Sequence, residues 1–158
     1  MAGFGKVDFS DLIKLQKQLE ALSKDKTQEY LEYLTKDLAS ITLSKAIFRT
    51  PTISGHLKRG WTGGREMTAH EWVDEQEVKH NGNVYTLTIS NAVEYAPYVE
   101  YGHRQEPGRY VSAIGKRLVK KWVNGQYMCT KAVLYAKSRY PIIAKRDFER
   151  WMNENFKF

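Results

Sequence analysis

The sequence predicts an α+β protein in a single domain, with helices at both ends and a small antiparallel β-meander between them. Leucines recur at helical spacing in the first fifty residues, and apolar residues do so again in the last thirty. Between them, residues 84–91 alternate apolar and polar side chains as a strand does. A chain of 158 residues can bury one sizeable core without disulfide or metal. The predicted parts are residues 1–50, 51–128 and 129–158.

Two helices are predicted in residues 1–50. Ser10 is a good N-cap for the first, whose apolar positions are Leu12, Leu15, Leu19 and Leu22. The second carries Leu31, Leu34, Leu38, Ile41 and Phe48 on one face. It is expected to end near Thr50, because a proline at position 51 disfavours helical backbone in the residue before it.

The middle part begins with a glycine-rich stretch, residues 51–64, that predicts a loop with a short turn carrying Leu57 and entry into a sheet at Trp61. Residues 72–80 read as a polar strand, and residues 81–83 as a tight hairpin turn. The alternating segment 84–91 is the strongest strand prediction in the chain.

Residues 91–104 contain the stretch around which the chain is organised. Pro97 suits the start of a short helical turn and Gly102 its end. Tyr98 and Tyr101 are three residues apart and would share one face, with Glu100 presented to the side.

After this turn the chain becomes strongly basic. Residues 1–101 hold 12 Lys/Arg and 14 Asp/Glu, whereas residues 102–158 hold 13 and 4. Residues 103–108 are expected to form a loop, and residues 109–128 either a basic strand or an arm that orders only against a partner. A short helix is predicted from Tyr127, and a last helix starting at Pro141.

The net charge of +7 favours an anionic partner, with nucleic acid first and an acidic protein equally suitable. The single cysteine, Cys129, excludes an internal disulfide. The first residues have no apolar leader core, and no apolar run approaches the ~18 residues of a membrane span. We therefore expect a soluble protein made in a cytoplasm, with no membrane partner.

No catalytic, cofactor or metal-binding constellation is predicted, so the chain is expected not to be an enzyme. Its four histidines are scattered without metal-ligand spacing. The acidic residues Glu71, Asp74, Glu75 and Glu77 are expected on a solvated sheet edge. A magnesium-dependent nuclease using Glu75 and Glu77 is the least favoured alternative.

Three segments in order carry a resemblance to a known family. They are residues 50–61 (TPTISGHLKRGW), 91–102 (NAVEYAPYVEYG) and 122–128 (WVNGQYM). Together they resemble the tail-completion or head-tail joining family of long-tailed bacteriophages, from about Phe48 to the C-terminal helix. The family commonly has Asp where Ile53 stands and Ser where Gly60 stands.

The resemblance implies a structural α+β protomer, made in the host bacterial cytoplasm, that forms a ring in the virion neck. The ring is usually a hexamer and lies between the capsid connector or adaptor and the tail, where a tail terminator or tail tube is the other partner. No cofactor is implied, and DNA in the channel is a further expected contact.

Two sets of residues are candidates for these contacts. The expected subunit or ring interface comprises Glu94, Tyr95, Tyr98, Glu100, Tyr101, Gly102 and Trp122, with Glu94 and Glu100 facing Lys or Arg of a neighbour. The alternative is that these aromatics close the protomer's own core. A basic set expected to meet DNA or an acidic partner comprises Arg109, Lys116, Arg117, Lys120 and Lys121.

Overall fold

Two long helices form the frame of the molecule in the computed structural model, which describes residues 24–112 and 115–156. Helix α1 (Lys24–Arg49) and the last helix, Met128–Asn155, pack along one another. The helix predicted from Ser10 lies outside the described residues. The α+β class predicted from the sequence is confirmed.

Short elements connect the two long helices. The helices are α2 (His56–Arg59), α3 (Ala69–Asp74) and α4 (Ala96–Tyr101), and a 3-10 turn covers Gly60–Thr62. The strands are β1 (Lys79–Asn81), β2 (Val84–Thr86), β3 (Gly102–Arg104), β4 (Tyr110–Val111), β5 (Lys116–Arg117) and β6 (Trp122–Asn124). They pair as three separate antiparallel ribbons, β1–β2, β3–β6 and β4–β5. The long helix Met128–Asn155 is α5.

Helix α1 is buried on two sides, not on the one face predicted. Leu34 and Leu43 are both buried, although nine residues make two and a half helical turns and place them on opposite sides. The helix is packed against both α5 and α3, which explains why two of its sides are buried. Phe48, predicted on the shared apolar face, is 78% exposed. The predicted end of the helix near Thr50 is confirmed.

The loop after α1 is held by a buried tryptophan. The indole Nε1 of Trp61 donates to Oγ1 of Thr50 at 2.8 Å, and that hydroxyl donates to the carbonyl of Ala46 at 2.7 Å. The predicted turn carrying Leu57 is confirmed as α2, with Leu57 buried. The predicted entry into a sheet at Trp61 is wrong, because this residue lies in the 3-10 turn that its side chain anchors to α1.

Residues 69–74 form helix α3 where the sequence predicted the start of a polar strand. Thr68 and Glu71 form a capping box, in which each side chain accepts from the other's backbone N–H. Ala69 and Val73, four residues apart, are both buried. The prediction of a strand from Trp72 is therefore wrong, and strand structure begins only at Lys79.

The hairpin predicted at residues 81–83 is confirmed. Asn81 pairs with Val84, so Gly82 and Asn83 form a two-residue turn, and Gly82 has the positive φ of 58° that such turns require. The alternation over residues 84–90 is also confirmed, since Tyr85, Leu87 and Ile89 are half-buried and the residues between them exposed. The strand predicted over residues 84–91 is confirmed only for Val84–Thr86, and the prediction is wrong for residues 87–91, which have no strand pairing.

Helix α5 is continuous through Pro141, where the sequence predicted a new helix. A proline inside a helix removes one backbone hydrogen bond and tends to kink the helix. Here the helix continues because its far half is packed on α1: Tyr30 of α1 contacts the rings of Phe148 and Trp151 at centroid distances of 5.3 and 5.5 Å.

Two carboxyl groups and one guanidinium meet between α1 and α5. Arg146 reaches Asp37 at 2.8 Å and also donates from Nε to Oδ1 of Asp147 at 2.8 Å. Asp147 is fully buried, and its Oδ2 has no donor within the described residues. Burial raises the pKa of Asp37, and a hydrogen bond and charge repulsion from Asp147 raise it further, against the lowering effect of Arg146. A proton held between the two carboxyls would supply the missing donor.

We expect Asp37→Asn to flatten the pH dependence of stability. Because the folded-state pKa of Asp37 lies above 3.8, its protonated form stabilises the fold below that pH, and the contribution is lost as pH rises through the folded value. The amide of asparagine keeps a hydrogen-bond donor at every pH. The free energy of unfolding of the variant should therefore increase relative to that of the wild type as pH rises. Urea unfolding across this range is the measurement. A wild type that gains stability relative to the variant over the same range would contradict the shared proton.

Candidate docking surface around helix α4

Helix α4 presents two tyrosines to solvent. Pro97 lies in its first turn, and Gly102, with φ of 87°, ends it, as the sequence predicted. Ala96 is buried at its base, whereas Tyr98 and Tyr101 are 60% and 63% exposed. The shared tyrosine face predicted from their spacing therefore faces solvent.

Glu100 of α4 turns inward and caps the start of α5. Its carboxylate accepts from the backbone N–H groups of Cys129 and Thr130, both at 2.9 Å, and from the Thr130 hydroxyl at 2.7 Å. The residue is only 6% exposed. The sequence led us to expect that Glu100 is presented to the side and faces a Lys or Arg of a neighbour. This geometry does not favour that contact, because the Glu100 carboxylate oxygens accept hydrogen bonds within the chain.

The electrostatics of Glu100 fit a buried cap. Burial alone would raise the pKa of this carboxyl, but hydrogen bonds from the Thr130 and Cys129 backbone and from the Thr130 hydroxyl outweigh it and lower the pKa. The positive end of the α5 dipole favours the same charged state. Burial and the nearby Glu100 charge raise the pKa of the Cys129 thiol, which disfavours a reactive thiolate.

Two glycines allow α4 and β6 to approach closely. A Cβ at Gly102 would meet the Val123 carbonyl and the Gly125 backbone, and one at Gly125 would meet the backbone of residues 100–102. The backbone N–H groups of Gln126 and Tyr127 bond the carbonyls of Val99 and Glu100 at 2.8 and 3.0 Å. Gly102 also pairs with Asn124 across the β3–β6 ribbon. Residues 96–104 and 122–130 therefore form one rigid unit.

An aromatic surface lies on this unit around Gly102. The Tyr98 ring contacts the His103 ring edge-on at 5.9 Å, and the Trp122 ring lies beside Gly102. Trp122 is 52% exposed. We call Tyr98, Tyr101 and Trp122 the aromatic surface. Their exposure does not fit the alternative in which these side chains close the protomer's own core.

The other two predicted interface residues lie at the opposite end of α4. Glu94 is exposed, and Tyr95 is 43% exposed with its hydroxyl 3.4 Å from Nδ1 of His56. The structure therefore does not bring Glu94 and Tyr95 into the aromatic surface. Their role in a subunit interface stays a prediction.

The basic segment forms a hairpin, the strand alternative of the two that the sequence left open. Tyr110 pairs with Arg117 and Val111 with Lys116, and Leu118 N–H bonds the Arg109 carbonyl at 2.8 Å. All five predicted basic residues are exposed. Sequence reasoning missed Arg104, because it predicted a loop over residues 103–108. In the structure Arg104 lies in β3 opposite Trp122 and is a sixth exposed cation.

Within the described residues, no three His, Cys, Asp or Glu side chains come together as a metal site. Glu75 pairs with Arg65 at 2.7 Å. The acidic residues expected on a sheet edge lie instead on α3 or just after it, since residues 69–74 are helical. In the same part of the chain, no helix has the length and apolar character needed to cross a bilayer.

These features define a class: a small α+β protein that carries an exposed aromatic surface and a basic hairpin on a rigid base, as a structural assembly component does. A family model described as "Bacteriophage HK97-gp10, putative tail-component" matches residues 13–102. The chain belongs to this HK97-gp10-like family of phage tail components, which confirms the resemblance seen in its motifs. No curated protein and no solved structure matched the chain.

Membership gives the protein a structural role in the phage tail and a place in the virion. Such a role is non-enzymatic in kind. The matched range includes two of the three motif segments, residues 50–61 and 91–102, and ends where α4 meets β3.

Proposed function

We propose that this tail component completes the tail and joins it to the DNA-filled head, acting as a ring in the virion neck. Its partners on this proposal are the head-tail connector or adaptor on one side and a tail terminator or tail tube protein on the other. The ring has six copies by the family resemblance. The protein works by assembly and not by catalysis.

The observation that carries the proposal is the aromatic surface. Tyr98, Tyr101 and Trp122 are each more than half exposed, on a unit fixed by Glu100, Gly102 and Gly125. Large aromatic side chains are the residue types that anchor protein interfaces, and holding them rigid lowers the entropy lost on binding. The surface is thus suited to dock a protein ring.

A stop codon early in this reading frame should produce packaged heads and complete but separate tails. Electron microscopy of lysates from the mutant phage is the measurement, with plasmid-borne wild type restoring joined particles. Joined particles without the plasmid would eliminate the neck role.

The aromatic surface can be tested in the same complementation. We expect Tyr98→Ala to reduce joined particles by about tenfold or more, as loss of an interface anchor worth ~2 kcal/mol does. Tyr140→Ala is the matched control, since Tyr140 is 49% exposed on α5. Both variants should unfold within about 1 kcal/mol of the wild type, because surface substitutions rarely cost more. Equal joining by the two variants would reject the aromatic surface as the dock.

DNA binding is a second candidate function, with the hairpin as its observation. Arg109, Lys116, Arg117, Lys120 and Lys121 are all exposed. A positively charged groove or arm that neutralises phosphates gives affinity that falls steeply with salt. DNA in the neck channel is the anionic partner on this alternative. Duplex affinity that falls steeply with salt and is lost on reversal of the hairpin charges would support DNA contact, whereas no duplex binding at low salt would leave the hairpin to an acidic protein.

A further inference from the structure

An acidic surface surrounds α3. Residues 65–78 contain five Asp/Glu and one Arg. We call the five the acidic patch, and all are exposed: Glu66, Glu71, Asp74, Glu75 and Glu77. Glu75 pairs with Arg65, Asp74 lies 3.6 Å from His70, and Glu71 serves the helix cap. Among the described residues, Glu66 and Glu77 form no ion pair or hydrogen bond. Lys36 of α1 reaches the patch and donates to the Asp74 carbonyl at 2.9 Å, but five acidic groups still leave the patch with a net negative charge.

The basic hairpin has the opposite imbalance. Residues 104–121 contain six Lys/Arg and one Glu. We call the six the basic hairpin: Arg104, Arg109, Lys116, Arg117, Lys120 and Lys121. Arg117 donates to the Gly108 carbonyl, and in the described part of the chain none of the six pairs with an acid. The chain therefore has two exposed surfaces of opposite sign with similar numbers of charged residues, five acidic and six basic.

The two surfaces do not meet within one protomer. Helix α3 is packed on α1, whereas the hairpin continues the β3–β6 ribbon, and none of the ion pairs between described residues joins them. We propose that the basic hairpin of one copy docks on the acidic patch of the next. This contact deepens the proposed ring function and rests on it.

A ring requires this kind of contact. Its interface is heterologous, one surface fitting a different surface of the next copy, so both complementary surfaces must be on the same chain. Complementary potentials also steer copies together and fix which face meets which.

The apolar side chains of the hairpin favour a protein partner over DNA. Val119 and Tyr110 are 86% and 57% exposed beside the lysines. Protein interfaces bury such side chains among arginines and aromatics, whereas most DNA contacts made by a basic surface go to phosphate oxygens. A second copy of the chain can contact both the apolar side chains and the positive charges of the hairpin.

Three charge-reversal chains test the contact. The first carries Lys116→Glu, Lys120→Glu and Lys121→Glu. The second carries Glu66→Lys, Glu75→Lys and Glu77→Lys. The third combines all six. Each is supplied from a plasmid to the stop-codon phage, and the amount of chain in purified particles is measured by immunoblot, separately from head-tail joining.

The first two chains should be incorporated about tenfold less than wild type or worse, since each places like charges against each other. The combined chain should return to within about twofold of wild type, because the signs are complementary again. All three should melt like the wild type, since the six side chains are exposed.

Two results would overturn the contact. The first is wild-type incorporation of both single-surface chains. The other is normal incorporation of the chain with the reversed acidic patch, together with failure of both chains that carry the reversed hairpin. Loss of salt-sensitive duplex binding by the hairpin-reversed chain would then assign the hairpin to DNA. If the combined chain is incorporated normally but heads and tails join even without any copy of the protein, the contact between copies is upheld and the neck role is rejected.

Discussion

Replacing Glu100 with glutamine is expected to lower the free energy of unfolding by about 2–4 kcal/mol near neutral pH. The carboxylate is 6% exposed and accepts three hydrogen bonds at the start of α5. Glutamine has one acceptor oxygen, and its NH₂ group would face a backbone donor in Cys129 or Thr130. Hydrogen bonds to a buried charge contribute about 1.5–3 kcal/mol each, and a buried donor left unsatisfied adds a cost. Urea unfolding of both proteins is the measurement.

The pH dependence gives this prediction a second signature. The folded-state pKa of Glu100 lies below its ordinary value of 4.5. Its ionised form therefore stabilises the fold fully above pH 4.5, and that contribution is lost as pH falls through the folded value. The glutamine variant cannot lose it. The difference between wild type and variant should shrink as pH falls through this window.

Glu94→Gln is the matched control for Glu100→Gln. Glu94 is six residues earlier and exposed, and it forms no hydrogen bond or ion pair with the described residues. Its substitution should change stability by no more than about 0.5 kcal/mol. Similar losses for the two variants would mean that Glu100 does not act as the cap of α5.

Local sequence signals gave correct predictions where local chemistry decides the structure. Pro97 and Gly102 bound α4, and Gly82 makes the hairpin turn through its own backbone freedom. The role of Glu100 could not be predicted in this way, because its donors, Cys129 and Thr130, lie about thirty residues further along the chain. Only the fold brings a side chain of α4 to the start of α5.

The failed predictions have tertiary causes. The continuity of α5 through Pro141 depends on packing against α1, which compensates for a local helix-breaking signal. Residues 68–74 contain a capping box and two buried residues four apart, a helical signal that the acidic residues in and after this segment obscured. Polar side chains over a short segment fit an exposed helix as well as an edge strand.

The family motifs prove to be mainly scaffold. Asn91 donates to the Leu57 carbonyl at 2.8 Å and accepts from Val93 N–H at 3.1 Å, which ties α2 to the segment before α4. A Cβ at Gly60 would meet the side chains of Asn91 and Val93. A residue larger than glycine at position 60 would therefore have to displace these two side chains. Several motif residues thus fix the frame, while Tyr98, Tyr101 and Trp122 of the same segments are exposed.

The Gly102–Gly125 contact provides the second large prediction. Gly102→Ala should lower the free energy of unfolding by about 3 kcal/mol or more, since it adds two costs. Its backbone, with φ of 87° and ψ of 172°, lies in a region that essentially only glycine adopts, which costs alanine about 1–3 kcal/mol. In addition, the methyl group would overlap the Val123 carbonyl and the Gly125 backbone, and overpacking against backbone costs about 1–3 kcal/mol.

Gly108→Ala separates the two costs. Its φ of 89° matches that of Gly102, but a Cβ there meets nothing within 4 Å. This control should lose only a conformational cost, about 1–2 kcal/mol, so we expect a clearly larger loss at Gly102, where the methyl group also meets backbone. Because Trp122 lies beside Gly102, its fluorescence should also change in Gly102→Ala and not in Gly108→Ala. Equal losses and unchanged fluorescence would show that the two segments separate at little cost, and the aromatic surface would then have no rigid base.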